Sequence, residues 1–543
     1  MYKPSKRNII IVFILSILIT CMHIAGWQIS MDYGSSVHQS EFFQNIGVLE
    51  GWQCILWGMI EIPVLAFLFY VLFSRIERHS LERSAKTINF KADKLVWPIT
   101  FVLLYAIWLF FLWGCYPGYF NYDAENQLVQ VLYDEVQYNA HHPLLHTLFS
   151  GSLITLGYRI DNTDLTLGVF IVNTVQMFIV SLCLSYTLRF IYKQTRSWVL
   201  TGLSFVFFAL CPPVVMFAMS PTKDVLCYAV LLLAFIHLIE LTNSLEKGEG
   251  IKWYKWVLIG LFMTLSCLIR KNIIYAVVVF IPLSLLLLKK ERKKQILLYV
   301  TVIIIYFAVD KGLLMALDAI PGSVNEALCV PYQQIARLYV MEGEDAFTDE
   351  EYELLSELVP PGALTCYDPV MGDHTKANFN PGLDTLKANK WTYLKFWLKK
   401  GMEYPGIYID ALLYNTYQAW YPGTQITEYR GVRYFDITDW ERTYGTPHWQ
   451  GLFDFYESVR FGEYIKYPII RLLFVPGTML WITLISWFFG VWKKNKSVIV
   501  SLLLILLVCC TNFLGPVSDV RYYLILFYVM PICLAFLFRK ETD

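Results

Sequence analysis

Long runs of apolar residues constrain this chain more than any other feature. Ile9–Thr20, Leu95–Trp113 and Leu502–Val508 contain no charged residue. A helix of about 20 mostly apolar residues spans the hydrocarbon core of a bilayer. Of the 543 residues, 56% are apolar and only 16% are charged, which is too little polar material to cover soluble domains of this size. The sequence therefore predicts an all-α polytopic membrane protein with the lipid bilayer as a partner.

About twelve segments have the length and apolarity of a spanning helix. They lie near residues 8–30, 51–73, 95–114, 164–191, 197–217, 224–243, 253–270, 272–288, 295–314, 467–490, 497–514 and 521–538. The N-terminal segment is a longer apolar run than a signal peptide and lacks a small-residue cleavage site. We therefore count it as the first span.

Lys and Arg residues gather in every second loop, which sets the predicted orientation. The clusters follow spans two, four, six, eight and ten: Arg75 to Lys94, Arg189 to Arg196, Lys247 to Lys255, Lys289 to Lys294, and Lys493 to Lys496. Short cytoplasmic loops are enriched in Lys and Arg, so both termini are predicted to be cytoplasmic in a multi-pass protein of the plasma membrane. The chain has 44 basic and 44 acidic residues, and this balance argues against a nucleic-acid partner.

One further apolar segment, Pro143–Arg159, would reverse the side of every later cluster if it crossed the membrane. We predict instead a short helix at the outer surface. The chain then divides into an N-terminal hairpin with a basic loop (1–94), a transmembrane core (95–314), an extracytoplasmic insert (315–466) and C-terminal helices (467–543). Residues 315–466 are called the insert below.

The insert is predicted to be mainly helical and rich in Pro-Gly turns. Thr348 and Glu351 form a capping-box pattern, and Cys329 and Cys366 could pair, which spacing alone cannot establish. Its aromatic residues are typical of a surface resting on the membrane interface. They are Trp391, Trp397, Tyr404, Tyr408, Tyr414, Tyr417, Trp420 and Tyr421.

The loop after span three, residues 115–142, carries the most informative acids. It contains no Lys or Arg but includes Asp123, Glu125, Asp134 and Glu135. A carboxylate partly desolvated near the membrane surface becomes more basic, so Asp123, which follows the Pro-Gly turn, is the candidate general base. The alternative for each of these acids is a solvated loop carboxylate.

Three histidines end the same loop and begin the next helix. His142 and His146 are four residues apart, a spacing that suits a metal ion, with His141 beside them. The sequence specifies no third ligand, so no residue is assigned as a metal ligand, and a divalent metal stays open as a cofactor. His142 is more simply a hydrogen-bonding partner of the site.

Cations are rare in the other short outer loops, and the exceptions are informative. Lys223, Arg270 and Arg521 each lie at the predicted outer end of a helix. Together they would suit the phosphate of an anionic lipid, for which Arg provides a bidentate grip. The alternative is local ion pairing, of Lys223 with Asp224 and of Arg521 with Asp519.

Glu61 lies within the second span, where an acid is a functional candidate by default. It could equally bond to a neighbouring helix. Asn173, Gln176 and other polar residues inside spans are predicted to pack between helices.

At this point the pattern resembles known proteins. The loop with Pro117-Gly118, Asp123 and Gln127, ending at His142 and Pro143, is similar to the first extracytoplasmic loop of GT-C-type membrane glycosyltransferases. From about residue 95 onward the chain also resembles an uncharacterised Firmicutes family of large membrane proteins. The segments that carry this second resemblance are Ser220–Asp224, Leu268–Asn272, Val330–Arg337, Tyr367–Pro369, Trp420–Pro422 and Asp519–Tyr522.

The GT-C resemblance implies a GT-C-like fold and a sugar donor on a polyprenyl phosphate. Asp123 would deprotonate an acceptor hydroxyl, and His142 would orient that hydroxyl or contact donor phosphate. Residues for lipid phosphate and substrate would be Gln127, Lys223, Asp224, Arg270 and Arg521, with Gln334 and Arg337 of the insert on the acceptor side. Tyr122 and Ala124 replace the acidic pair that usually accompanies the Asp, so transfer with and without a metal both stay open.

The resemblance therefore implies a glycosyltransferase acting on a cell-envelope glycan, glycolipid or protein. Two other classes stay open from the residues alone. A transporter or flippase of a lipid-linked precursor would use Glu61, although the chain shows none of the paired repeats typical of transporters. An assembly factor would use the insert to bind a partner and would not need Asp123, Arg270 or Arg521.

Overall fold

The computed structural model describes residues 5–34, 50–82, 90–120, 122–162, 165–424 and 446–538. Within these ranges the secondary structure is helical and no β-strand forms. Two isolated bridges pair Asn139 with Ile320 and Met371 with Val517. The predicted all-α class is confirmed.

The helices are numbered in chain order over the described ranges. Those outside the insert are α1 (Lys6–Gly34), α2 (Gly51–Glu82), α3 (Phe90–Gly114), α4 (Tyr122–Leu132), α5 (Leu144–Asp161), α6 (Thr166–Thr195), α7 (Trp198–Leu210), α8 (Pro212–Ala218), α9 (Lys223–Lys247), α10 (Trp253–Ile269), α11 (Ile273–Leu287), α12 (Arg292–Ala316), α20 (Pro468–Leu472), α21 (Pro476–Trp492), α22 (Lys496–Asn512) and α23 (Leu524–Leu537). Those of the insert are α13 (Cys329–Glu342), α14 (Asp349–Ser356), α15 (Gly372–Asn378), α16 (Leu383–Ala388), α17 (Lys390–Glu403), α18 (Pro405–Trp420) and α19 (Gln450–Arg460).

Seven helical segments in the described ranges are long and apolar enough to cross a bilayer. They are Lys6–Asp32, Gly51–Arg78, Asp93–Gly114, Thr166–Thr195, Lys223–Lys247, Arg292–Ala316 and Val520–Leu537. Helices α7 and α8 form an eighth candidate, bent by 52°. The protein is thus a helical membrane protein.

Four shorter apolar helices, α10, α11, α21 and α22, complete the set of segments predicted as spans. They have 17, 15, 17 and 17 residues. At 1.5 Å per residue such helices are about 22–26 Å long, against a hydrocarbon core of about 30 Å. The count of twelve spans therefore stays a prediction. Each of the twelve predicted segments overlaps one of the seven long helices, the bent pair or one of the four short helices.

The predicted cytoplasmic basic clusters meet at one end of the helical bundle. Side chains and backbone atoms of different loops contact one another there: Lys493 with Glu77, Lys193 and Lys255 with Glu240, and Lys290 and Lys496 with Glu246. The insert connects the end of α12 to the start of α20 at the other end of the bundle. The basic clusters therefore lie on one side of the fold, as the predicted orientation requires.

Helix α9 lies at the centre of the bundle and positions the site. It packs against α6, α10, α22 and α23, and most of its residues are buried. Its first residues, Lys223 and Asp224, stand at the end of the bundle that carries the insert. Polar groups at this point are consequently enclosed by several helices.

The insert has its own apolar core, which contains Tyr408, while four more of the aromatic residues assigned to its surface lie in the core of the helical bundle. Tyr408, Tyr414, Tyr417, Trp420 and Tyr421 are all buried. The prediction of an aromatic surface is therefore wrong for these five, because helices from distant parts of the insert and the bundle pack over them. Trp391 is exposed.

Local details of the insert agree in part with the sequence. The capping box of Thr348 and Glu351 is present, and the helical stretch that ends at Glu403 is divided at Asn389 into α16 and α17. The thiols of Cys329 and Cys366 are both free, the first buried and the second exposed.

The insert is bonded to the loop between α22 and α23. The Gly372 amide donates to Pro516 O at 2.6 Å, the bridge of Met371 and Val517 lies beside it, and Asn415 Nδ2 donates to Gly515 O at 3.0 Å. The same loop continues to Arg521, so the insert helps to fix a residue of the site.

Candidate functional site

Asp123 lies in the first turn of α4, immediately after a tight backbone turn. Gly118 in that turn has a φ of 98°, which a residue with a side chain rarely adopts. A Cβ atom there would lie 2.6 Å from Asn173 Nδ2 and 2.9 Å from Met219 O. The next amide, of Tyr119, donates to Met219 O at 2.8 Å. The turn before Asp123 therefore packs directly on the segment before Lys223.

Two buried amides of α6 hold these backbone segments in place. Asn173 Nδ2 donates to Pro117 O at 3.2 Å and to Tyr119 O at 3.3 Å. Gln176 Nε2 lies 2.7 Å from Ser220 O and also contacts two carbonyls of α8. Since Asn173 and Gln176 are three residues apart, they share one helix face. That face fixes the starts of α4 and α9 relative to each other.

Asp123 is buried between two cations. Its Oδ2 atom accepts hydrogen bonds from Lys223 Nζ at 2.9 Å and from Arg521 Nη1 at 3.1 Å. Burial raises the pKa of Asp123, but Lys223 and Arg521 outweigh burial and hold the pKa below its usual range. The expectation that desolvation makes Asp123 more basic is therefore wrong for this arrangement, and the carboxylate is a weak base here.

His142 completes the surroundings of Asp123. Lys223 Nζ lies 3.0 Å from His142 Nδ1, and since an ammonium group can only donate, Nδ1 accepts. The ring proton is then assigned to Nε2, which lies 4.0 Å from Asp123 Oδ1. Burial, together with Lys223, lowers the pKa of His142 to about 2, so the imidazole is neutral at pH 7.

Two more carboxylates hold the arginines. Asp224 is 0% exposed; its Oδ1 contacts Arg270 Nη1, and its Oδ2 lies 4.0 Å from Arg521 Nε. Asp519 Oδ2 lies 3.4 Å from the same Nε atom. We call Asp123, His142, Lys223, Asp224, Arg270, Asp519 and Arg521 the charged cluster. Its three cations face three carboxylates.

An aromatic ring and two amides hold the arginines from the side. The guanidinium carbons of Arg270 and Arg521 lie 4.7 Å and 4.9 Å from the ring centre of Tyr522. Asn512 Oδ1 accepts from Arg270 Nη2 at 3.2 Å and from Asn272 Nδ2 at 2.8 Å. Cation–π contacts of this kind strengthen when water is excluded. The arginines are thus fixed in direction as well as neutralised.

Such a cluster can exchange one anion for another. Each cation already has a carboxylate partner, and an unpaired buried charge is costly. An incoming phosphate that takes the cations from Asp123 would remove the groups that lower its pKa. The carboxylate would then become a stronger base only when the anion is bound.

The structure brings together Asp123, His142, Lys223, Asp224, Arg270 and Arg521, six of the residues that the sequence nominated as site residues. Gln127 is buried nearby but is bonded to His146, whose Nδ1 lies 2.6 Å from Gln127 Oε1. Glu125 is exposed on the opposite side of α4. Gln127 therefore supports the helix pair α4 and α5 rather than the charged cluster.

Gln334 and Arg337 lie within the insert. Gln334 donates to Tyr408 O at 3.1 Å and accepts from Trp397 Nε1 at 2.9 Å. Arg337 lies over the ring of Tyr414, 4.3 Å from its centre, and near Asp410. Both residues hold α13 against α17 and α18, and their described polar contacts do not include the charged cluster.

Several residues of the site were not assigned to it from the sequence. Tyr522 carried no signal beyond its place beside Arg521, and Asn512 carried none. Asn173 and Gln176 were predicted to pack between helices; their three-residue spacing could have indicated a shared polar face. Glu61 bonds to His23 on α1, with Oε1 2.9 Å from Nδ1, remote in sequence from every residue of the charged cluster.

The histidines do not form a metal site with their neighbours. Nδ1 of His142 faces Lys223 and Nδ1 of His146 faces Gln127. In the described ranges no three His, Cys, Asp or Glu side chains are grouped so as to hold a metal ion.

Comparison with protein families finds a match for most of the chain. Residues 133–543 match a family model described as a family of unknown function, DUF6020. No curated protein and no solved structure matches the chain. The matched region includes His142, Lys223, Arg270 and Arg521 and begins after Asp123. As the match covers well over half of the chain, the protein belongs to the DUF6020 family.

Proposed function

We propose that this protein is a membrane glycosyltransferase with a GT-C-like fold. It moves a sugar from a polyprenyl-phosphate donor to an acceptor of the cell envelope, a glycan, glycolipid or protein. The proposal is supported by one observation above all: five segments far apart in sequence bring Asp123, His142, Lys223, Arg270 and Arg521 into a single buried cluster.

The donor binds through its phosphate. Lys223 and Arg521 turn from Asp123 to the phosphate oxygens, and Arg270 lies behind them, held by Asp224 and Tyr522. Charge-assisted hydrogen bonds from arginine to phosphate are strong and directional. The guanidinium of Arg521 is buried, and an ion pair in such surroundings is screened little by salt.

The transfer step uses the released carboxylate. Asp123 accepts the proton of the acceptor hydroxyl, whose oxygen forms the new bond to the anomeric carbon of the sugar. The bond from that carbon to the phosphate oxygen breaks, and its electron pair leaves with the polyprenyl phosphate. Lys223, Arg270 and Arg521 stabilise the added negative charge. Neutral His142 donates from Nε2 and orients the hydroxyl.

The site is assigned to the outer face of the plasma membrane. The basic clusters share the opposite end of the bundle, and Lys and Arg in short loops mark the cytoplasmic side. Both termini are then cytoplasmic, the twelve apolar segments are spans, and the insert is extracytoplasmic and borders the acceptor side.

The test is sugar transfer by purified protein in proteoliposomes supplied with radiolabelled polyprenyl-phosphate sugars and envelope acceptors. Asp123→Asn should abolish transfer while membrane insertion is unchanged. Glu125→Gln is the matched control, because Glu125 lies on the same helix but is exposed, and it should keep full activity. Full activity of Asp123→Asn, or equal loss in both variants, would contradict the proposal.

A lipid-linked precursor transporter is the second candidate, favoured by the His23–Glu61 pair within two spanning segments. Ionisable pairs inside membrane-spanning helices often belong to ion or proton pathways. The same proteoliposomes separate the classes. Movement of labelled donor across the bilayer without bond cleavage, lost in Glu61→Gln but kept in Asp123→Asn, would identify a transporter.

A further inference from the structure

Helix α17 (Lys390–Glu403) has an exposed apolar face that the fold leaves uncovered. Tyr393, Phe396 and Lys400 point into the core of the insert. On the other side Trp391, Leu394, Leu398 and Met402 are 67%, 40%, 47% and 77% exposed. Spacings of three and four residues place these four side chains on one line along the helix. We call them the α17 stripe.

Lysines border the α17 stripe. Lys390 and Lys395 are exposed, and neither forms an ion pair with any residue in the part of the chain that the structure describes. Lys399 is also exposed but pairs with Glu351 at 2.6 Å. A continuous apolar line on a surface marks an interaction site. Apolar residues with lysines at their edges are typical of a helix that lies in the interface of an anionic membrane.

The adjoining helix α18 (Pro405–Trp420) locates α17 near the membrane. Tyr414 donates to Asp32, the last residue of the first candidate span. Further along, Trp481 Nε1 of α21 donates to Trp420 O at 2.8 Å. The C-terminal half of α18 thus lies among the spanning helices.

Helix α17 contacts α18 at a point only a little farther along α18 from the spanning helices than Tyr414. Tyr408 Oη donates to Trp397 O at 3.1 Å, and Tyr408 precedes Tyr414 by six residues, which is about 9 Å of helix. The headgroup layer on each side of the hydrocarbon core is about 5–7 Å thick. That rise exceeds the headgroup layer by only about 2–4 Å, a gap shorter than a Trp, Met or Lys side chain, so the α17 stripe lies within reach of the lipid surface.

We propose that α17 binds the surface of the surrounding bilayer, with the α17 stripe among the acyl-chain ends and Lys390 and Lys395 on anionic phospholipid headgroups. This places a lipid contact in the insert, apart from the charged cluster, and does not depend on any reaction there. The lysines supply the charge complementarity that selects an anionic lipid surface over a neutral one.

The experiment uses the full chain in vesicles of phosphatidylcholine with phosphatidylglycerol and in vesicles of phosphatidylcholine alone. Single cysteines at Leu398, Met402 and Asp384 receive a nitroxide label, in a protein whose exposed Cys21, Cys366 and Cys510 are replaced. Asp384 is the matched reference, because its side chain is 96% exposed on the neighbouring helix α16. The readout is the ratio of label accessibility to oxygen, which enters lipid, over a water-soluble nickel chelate.

The labels at Leu398 and Met402 should show a higher oxygen-to-nickel ratio than the label at Asp384, most clearly with phosphatidylglycerol. Lys390→Glu with Lys395→Glu should lower that ratio in the anionic vesicles to its value in phosphatidylcholine. Ratios equal to that at Asp384 in both vesicles would overturn the proposal. Water-like ratios with short label-to-label distances between chains would overturn it in favour of a second copy. A double variant with no effect would overturn the role of the lysines.

Discussion

Lys223 donates a hydrogen bond of 2.9 Å to Asp123, which precedes it by 100 residues in the chain. It does not pair with Asp224, its neighbour in sequence. Adjacent residues of a helix point about 100° apart, so Lys223 at the start of α9 faces α4 while Asp224 faces Arg270. The helix start thus serves two different ion pairs, and each can be tested separately.

Asp123→Asn should destabilise the protein by about 3–5 kcal/mol at pH 7, because Lys223 and Arg521 lose a buried charged partner. The folded pKa of Asp123 lies below its unfolded value of about 4. The stabilisation from its charge is therefore fully present above that pH and is lost as the pH falls towards the folded pKa. Thermal unfolding of wild type and of Asp123→Asn in detergent, from pH 7 to pH 3, measures this loss of stabilisation.

The difference in melting temperature between wild type and Asp123→Asn should stay constant from neutral pH down to about pH 4–5 and shrink below it. Glu125→Gln, on the exposed side of the same helix, should match wild type throughout. A difference that grows with acidification would show that the folded pKa of Asp123 is raised instead.

Arg270→Gln and Asp224→Asn should each cost about 3–5 kcal/mol, because each leaves the other charge buried without its partner. The double variant should lose less than the sum, with a coupling of about 1–3 kcal/mol. Lys387 and Asp384 form a matched exposed pair, 3.2 Å apart, for which the coupling should stay under about 1 kcal/mol. Additive losses at Arg270 and Asp224 would mean that the two side chains do not interact.

Gly118→Ala should destabilise the protein by about 2–5 kcal/mol, because a Cβ at positive φ is strained and crowds its neighbours. The added Cβ atom would lie 2.6 Å from Asn173 Nδ2 and 2.9 Å from Met219 O. Gly312→Ala is the control: nothing lies within 4 Å of the added carbon, so a gain of up to about 1 kcal/mol is expected from helix propensity. Similar melting temperatures for the two variants would contradict the turn geometry.

Gln176→Ala should loosen the backbone before Lys223, because buried carbonyls lose their donor at about 1–3 kcal/mol each. Amide hydrogen exchange read by mass spectrometry should accelerate over residues 216–222, and more weakly over 116–120. Gln194→Ala, on the same helix α6 at the opposite end of the bundle, should leave both segments unchanged. Unchanged exchange in Gln176→Ala would remove its positioning role.

The sequence predicted the helices well because a block of about 20 apolar residues directly indicates a helix that can span a bilayer. The cations of the charged cluster were also foreseeable, since Lys223, Arg270 and Arg521 lie in short loops that have few other Lys or Arg residues. Their pairing was not foreseeable, because it depends on how α4, α9 and the 519–523 segment meet in space. For the same reason the sequence suggested that desolvation raises the pKa of Asp123. In the structure Lys223 and Arg521, which are distant in sequence, outweigh desolvation and lower that pKa.

The insert shows the limit of composition as a guide. Its aromatic residues match those of an interfacial surface, but most of them fill the space between helices of distant origin. The exposed face consists instead of Leu394, Leu398 and Met402 beside Trp391. Only the rotation of α17, fixed by its buried Tyr393 and Phe396, separates the two faces.

The short bridge between Met371 and Val517 has a mechanical consequence. Val517 lies a few residues before Arg521 on a loop whose neighbouring carbonyls, Gly515 O and Pro516 O, also bond to the insert. The loop continues through the backbone to Arg521, whose guanidinium donates to Asp123. The position of the cation beside this carboxylate is therefore tied to the position of the insert.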